Sequence, residues 1–144
     1  MDPISAIGIL ASVSSLIKAC DSILDIAKDF KDGEKELIEL LNDIALFAGA
    51  LKGFDRVLRS KQTSHNISSQ IIQHALEQAS MTITELETRL GEIAKHKSAA
   101  VRRMKWVYHK SSFEKTHLRL REQNNVLQSF LALAHALVFA LQKL

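Results

Sequence analysis

The stretch PISAIGILASVSSLI, residues 3–17, contains no charged side chain. A surface helix of a soluble protein shows one apolar stripe, whereas a helix that is apolar all round is enclosed by other helices or by lipid. The sequence therefore predicts a central helix that the rest of the chain wraps. The bulky apolar residues of this stretch lie on nearly every side of a helix: Ile4, Ile7, Ile9, Leu10, Val13, Leu16 and Ile17.

Three further segments have the length and amphipathic pattern needed to wrap this helix. The first helix should begin with Pro3 at its first position and end near Phe30, before the breaker Gly33. The second should span residues 34–59, and the polar residues 60–66 should form a loop. A third should run from about Ser68 to Lys95. The heptad spacing that predicts the second helix is carried by Leu37, Ile44, Leu51 and Leu58.

The last third of the chain is harder to assign. Residues 95–110 fit either a short helix or a partly extended connection. The sequence Ser111-Ser112-Phe113-Glu114 has the form of a capping box, which predicts that helix 4 starts there and runs towards Leu144. Residues 126–142 form a second uncharged run, expected to pair antiparallel with helix 1 at the centre of the bundle. The predicted fold is all-α, a four-helix bundle with or without a short extra helix around residues 98–109.

Composition is typical of one soluble, helix-rich domain spanning residues 1–144. Apolar residues make up 47% and charged residues 24% of the chain, with one Pro and five Gly. Cys20 is the only cysteine, which favours a reducing intracellular setting, and we expect it to be a small core residue. The apolar run follows a negative rather than a positive start, unlike a signal peptide. We therefore expect a cytoplasmic protein, and the apolar end at Leu144 suggests a domain of a longer chain.

Positive charge is concentrated in one segment. Residues 1–94 carry a net charge of −5, whereas residues 95–121 contain nine Lys or Arg and only Glu114, a net charge of +8. Three interpretations compete: a solvated surface that pairs with acidic helices, attraction to anionic lipid headgroups, and nucleic-acid binding. The third is the weakest, because no recognition motif is present. The candidate lipid-binding residues are Lys95, Lys97, Arg102, Arg103, Lys105, Trp106 and Lys110, although a Trp is more often a core residue than a lipid anchor.

The sequence offers no catalytic or metal-binding motif. The glycines do not form a phosphate-binding loop, and no nucleophile elbow is present. The six histidines never pair at helical spacing with each other and form no HExxH motif. We therefore expect neither an enzyme nor a bound cofactor or metal ion.

Three stretches resemble the N-terminal domains of fungal STAND (NLR-like) receptors. The opening Met1-Asp2-Pro3-Ile4-Ser5-Ala6 is similar to the start of those domains, and the stretch from Arg103 to Lys110 resembles their basic, Trp-containing segment. Residues 113–133 look like the helix that follows it. The chain thus resembles the HeLo-like group, which includes the SesA-type domains and is similar in architecture to the coiled-coil domains of plant immune receptors.

The resemblance implies a helical-bundle effector that drives regulated cell death in incompatibility or defence. Such domains are thought to oligomerise and damage the plasma membrane, to which a cytoplasmic protein would relocate. In that scheme residues 4–17 would insert, and the basic face would meet anionic lipid. The alternative is a protein–protein adaptor bundle that self-associates or binds helical partners without touching lipid.

Overall fold

The chain folds as an all-α four-helix bundle, here described by a computed structural model. It covers the backbone of residues 3–30, 35–59 and 69–142, and within these the side chains of residues 7–28, 35–59 and 70–136. The predicted bounds of the first three helices are confirmed to within a few residues. The predicted breaker Gly33 and the loop at 60–66 lie outside the described residues. The helices are α1 (Pro3–Ile26, followed by a 3-10 turn at Ala27–Phe30), α2 (Lys35–Arg59), α3 (Ser69–Ala94) and α4 (Ala99–Gln142).

Helices α2 and α4 run parallel to each other. Glu36 near the start of α2 pairs with Lys110, and Gly53 near its end faces the side chain of Leu131. Contacting residues of the two helices are thus separated by a similar number of positions at both ends of the contact, as is expected of parallel helices. Helix α4 is antiparallel to α3, because Arg119 reaches Glu85 whereas Gln123, later in α4, reaches Thr82, which lies earlier in α3.

Helices α1 and α4 lie at opposite corners of the bundle. Both pack against α2 and α3, so that the four helices form a ring in which α1 and α4 are diagonal. The prediction that helix 1 and the second uncharged run form the central antiparallel pair is therefore wrong. The physical reason is that α2 and α3 each carry an apolar face wide enough to contact two neighbours.

The prediction that helix 1 is apolar all round and fully enclosed is also wrong. One side of α1 faces the core, and the other side exposes mostly small residues in the first half of the helix and the charged residues Lys18, Asp21 and Asp25 in the second. Gly8, Ala11, Ser12 and Ser15 are exposed in the first half. In the uncharged first half, small side chains therefore mark the solvent side, with the exception of Ile7, and a count of charges does not reveal this difference. The buried stripe repeats at steps of three and four: Ile9, Val13, Leu16, Cys20 and Ile23.

Helix α4 is continuous from Ala99 to Gln142, so the predicted capping box at Ser111 is wrong. The cap is Ser98, whose Oγ accepts a 3.4 Å hydrogen bond from the Val101 N–H. The segment considered for a short extra helix forms the first three turns of α4. At 1.5 Å per residue, its 44 residues span about 66 Å, against about 38 Å for α2.

A ring contact explains why the helix does not restart at Ser111. The centroids of Trp106 and Phe113 are 4.6 Å apart, and both residues are buried. A separation of seven residues places two side chains on the same side of one helix, two turns apart. Both rings can enter the core from one face only if the helix continues between them.

Candidate functional site

The predicted inserting residues of α1 do not share one surface in the folded bundle. Ile9, Val13 and Leu16 are buried in the core, whereas Ile7 is 68% exposed. Two more, Leu10 and Ile17, are half-buried, and the side chain of Ile4 lies outside the described residues. In the closed bundle, these residues can therefore meet lipid together only if α1 leaves α2 and α3.

By length and composition, residues 7–26 of α1 could cross a membrane. The core helix of a soluble protein passes the same test, and this segment also contains Lys18, Asp21 and Asp25. Asp21 lies 3.8 Å from Lys52 of α2, an exposed ion pair that holds little free energy. Hydropathy alone thus fits both a membrane span and a packed helix.

The basic segment divides into two parts at Lys110. From Lys110 onwards, three of its cations, Lys110, Arg119 and Arg121, pair with acidic residues of α2 and α3, whereas Lys115 is exposed and forms no ion pair within the described residues. Lys110 Nζ lies 3.2 Å from Glu36 Oε1, and Arg119 Nη1 lies 3.4 Å from Glu85 Oε2. This part behaves as the first interpretation predicts, a basic surface that pairs with acidic helices.

Asp43 is the centre of the strongest of these contacts. Its Oδ2 accepts hydrogen bonds from Arg121 Nε at 2.9 Å and from the His117 ring at 2.5 Å. Partial burial by itself would raise the pKa of the Asp43 carboxyl. The two hydrogen bonds and the nearby positive charge outweigh that effect, so the pKa of Asp43 lies below its ordinary value.

Glu36 shows the same tendency at the start of α2. A hydrogen bond from its own backbone N–H lowers the pKa of the carboxyl, and the hydrogen bond from Lys110 lowers it further. The N-terminus of a helix carries unpaired N–H groups and favours negative charge. Glu36 therefore joins α2 to α4 as a carboxylate.

The other part of the basic segment, residues 95–105, is turned towards solvent. Lys95, Lys97 and Lys105 are exposed and form no ion pair within the described ranges. Arg102 has a structural role, because its Nη1 donates to the carbonyls of His96 at 2.9 Å and Lys97 at 3.0 Å. These bonds tie the α3–α4 connection to the first turn of α4.

Trp106, one of the candidate lipid-binding residues, lies in the core with 4% of its surface exposed. Its neighbours on the first turns of α4 are exposed instead. Met104 is 71%, Val107 53% and Tyr108 82% exposed. We call residues 99–109 the α4 tip. In the sequence these apolar residues are close neighbours of Trp106. Which of them is buried depends on which side of the helix faces the core.

The exposed apolar surface continues along α4 beyond the tip. Leu118, Val126 and Leu133 are each about half exposed. At 3.6 residues per turn, they fall on the same side of the helix as Met104 and Tyr108. Polar residues interrupt this stripe, so it presents separate apolar contacts rather than one patch.

Among the residues that the structure describes, few side chains could carry covalent or metal chemistry. Burial raises the pKa of the Cys20 thiol to about 12, and the charge of Asp21 adds to this, so the reactive thiolate is suppressed. The expectation that Cys20 is a core residue is confirmed. In the part of the chain that the structure describes, no group of three His, Cys, Asp or Glu residues is placed to hold a metal ion.

Comparison with known proteins adds no assignment to this surface. Family models, curated proteins and solved structures gave no match to the chain.

Proposed function

We propose that the chain is the membrane-targeting effector domain of a fungal NLR-like receptor of the HeLo-like group. It acts without catalysis or cofactor. The resting bundle is cytoplasmic, and clustering of the receptor brings several copies together at the plasma membrane. The basic segment and α1 then contact anionic lipid, and oligomerisation of the bound domains drives regulated cell death.

The observation that carries this proposal is the composition of the α4 tip. Exposed Met104, Val107 and Tyr108 alternate there with exposed Arg103 and Lys105. Apolar side chains beside cations are typical of helices that lie at a membrane surface, where each basic residue contributes about 1 kcal/mol on anionic lipid. The tip can make this contact without any change in the bundle.

Helix α1 would act in a second step. Separating α1 exposes its buried stripe, and fully burying one such side chain in the folded state contributes about 1.5–3 kcal/mol. Its five core residues therefore hold the helix firmly in the resting bundle. Lipid or a neighbouring copy must replace those contacts before α1 can leave.

The first experiment is co-sedimentation with vesicles, combined with release of an entrapped dye. We expect binding to vesicles that contain phosphatidylserine and none to pure phosphatidylcholine vesicles. Met104→Ser together with Tyr108→Ser should weaken binding, because these residues supply the apolar contact. The matched control is Met81→Ser, since Met81 is 67% exposed on α3, away from the tip. Equal loss in the control, or no binding to either vesicle, would contradict the proposal.

The single tryptophan separates surface binding from opening of the bundle. Trp106 is the only Trp in the chain, and it is buried. Binding through the tip alone should leave its emission unchanged, whereas opening of the core should shift it. Deleting residues 1–17 is less informative, because it removes Ile9, Val13 and Leu16 from the core and would abolish activity through unfolding as well.

The alternative function is an adaptor that binds another helical protein or a second copy. The exposed stripe of Leu118, Val126 and Leu133 on α4 favours it, because partner helices commonly dock through apolar residues at this spacing. Leu118→Ser with Val126→Ser should abolish self-association and leave vesicle binding intact if the two surfaces act separately. If these substitutions abolish cell death while the α4 tip variant does not, the adaptor function is the better account.

A further inference from the structure

A basic cleft lies where the end of α3, the α3–α4 connection and the first turns of α4 meet. Its volume is about 250 Å³. On α4, Lys105, His109 and Ser112 follow one another at steps of four and three, which places all three on one side of the helix. The other lining residues come from α3 and the connection: Arg89, Glu92, Ile93, Lys95 and His96.

Positive charge dominates this cleft. Arg89, Lys95 and Lys105 carry three positive charges, and Glu92 is the only carboxylate that lines it. Lys95 and Lys105 are exposed, and neither forms an ion pair with another residue in the described part of the chain. A concave surface lined by one sign of charge focuses the electrostatic potential and concentrates ions of the opposite sign.

Arg89 supplies a donor that is not used by its own protein neighbours. Its Nη2 lies 2.9 Å from Glu85 Oε1, which fixes the guanidinium from one side. Its Nη1 is buried and has no hydrogen-bond partner among the described residues. A buried donor without a partner costs free energy. Because Nη1 has almost no accessible surface, an anion in the cleft would accept its hydrogen bond after a small shift of the guanidinium, and that bond would remove the cost.

We propose that this cleft binds an anion that carries two or more phosphate groups. A planar guanidinium and two ammonium groups match the several oxygens of phosphates better than the two oxygens of one carboxylate. His96, His109 and Ser112 add further hydrogen-bonding groups to the same walls. The volume admits a compact polyanion, being slightly below that of most small-molecule sites.

This inference rests on the proposed function in one respect, because Lys95 and Lys105 also belong to the candidate lipid-binding residues. It goes further by assigning them to a bounded site with phosphate chemistry. The phosphates can come from a phosphorylated lipid headgroup or from a soluble polyphosphate, and the cleft chemistry is the same for both.

The test is calorimetric titration of the whole chain with inorganic pyrophosphate, at an ionic strength held constant with sodium chloride. We expect saturable binding that Lys95→Gln with Lys105→Gln weakens by at least about tenfold, the effect of losing one charge-assisted hydrogen bond. The matched control is Lys97→Gln with Lys115→Gln, which removes one lysine from each of the same two elements outside the cleft. It should weaken binding much less than the cleft pair does, because neither Lys97 nor Lys115 lines the cleft.

Absence of saturable binding, or equal weakening by the two double variants, would overturn the proposal. The source of the phosphate is then identified with vesicles of equal surface charge. A preference for phosphatidylinositol phosphate over phosphatidylserine, lost when pyrophosphate is added, supports a lipid headgroup in the cleft; saturable pyrophosphate binding without such a preference supports a soluble anion. If pyrophosphate binds and no vesicle does, the cleft is retained and the membrane function is rejected.

Discussion

Arg121 Nε on α4 donates a 2.9 Å hydrogen bond to Asp43 Oδ2 on α2. The same oxygen accepts a hydrogen bond from His117, one turn earlier on α4. Two helices that run in the same direction are thus joined through one carboxylate near the middle of their contact. This arrangement uses Arg121 of the basic segment for stability, whereas Lys95, Lys97 and Lys105 remain exposed without an ion pair in the described part of the chain.

Acid should weaken this connection. The folded-state pKa of Asp43 is lowered, so its contribution to the free energy of unfolding is complete above about pH 4, the ordinary value for Asp. The contribution is lost as the pH falls through the lowered pKa. Asp43→Asn should therefore reduce the free energy of unfolding by about 1 kcal/mol at pH 7, and the difference should shrink in acid. Urea unfolding at a series of pH values measures it.

The control for this pH series is Asp25→Asn. Asp25 pairs with Lys28 at 3.0 Å, but both side chains are more than 70% exposed. The free energy of unfolding should hardly change in this variant at any pH. If the deficit of Asp43→Asn is the same at pH 3 and pH 7, the carboxylate does not contribute as described.

Two isoleucines test which side of α1 faces the core. Ile9 is fully buried, whereas Ile7 is 68% exposed. Ile9→Ala should lower the free energy of unfolding by about 2–5 kcal/mol, because it leaves a cavity in the core. Ile7→Ala should change it by no more than about 0.5 kcal/mol. Similar values for the two variants, measured by urea unfolding, would mean that α1 packs differently.

Two serines test where α4 begins. Ser98 caps the helix, so Ser98→Ala should lower the free energy of unfolding by about 0.5–2 kcal/mol. Ser111 lies exposed inside the helix, where Ala is favoured over Ser, so Ser111→Ala should stabilise by up to about 0.5 kcal/mol. If Ser111→Ala is instead the less stable of the two variants, α4 begins at a capping box at Ser111 and not at Ser98.

Trp106 should matter for stability more than its position in the basic segment suggests. It is 4% exposed and packs on Phe113, so Trp106→Phe should be tolerated better than Trp106→Ala, which should cost about 3–5 kcal/mol. Tyr108→Ala is the control, since Tyr108 is 82% exposed. Thermal unfolding followed by circular dichroism distinguishes them; equal melting temperatures for Trp106→Ala and Tyr108→Ala would show that Trp106 does not belong to the core.

The bounds of α1, α2 and α3 were accessible from sequence because they depend on local rules. Apolar residues at steps of three and four define each buried stripe, and Pro3 marks the start of α1. The cap of α4 was predicted 13 residues too late, at Ser111 instead of Ser98, because Ser111 and Glu114 satisfy the spacing of a capping box. Packing of Trp106 against Phe113 overrides that local pattern, and no short window of sequence reveals it.

The candidate site depended even more on tertiary structure. The sequence identified residues 95–121 as basic, but not which cations would pair with α2 and α3 and which would face solvent. That distinction arises because α4 is parallel to α2 and places Lys110 and Arg121 beside acidic residues. The sequence also did not predict that Arg89 and Lys105 line the same cleft, because these residues are 16 positions apart and lie on different helices.

The sequence by itself determined the all-α class, the bounds of the first three helices and the segment in which positive charge gathers, because helical periodicity and charge are properties of neighbouring residues. Only the tertiary structure decided that α1 and α4 lie diagonally, that Trp106 is buried and that Tyr108 is exposed. The reason is that each helix of a bundle has one buried side, and which residues occupy it depends on the neighbours that the helix packs against.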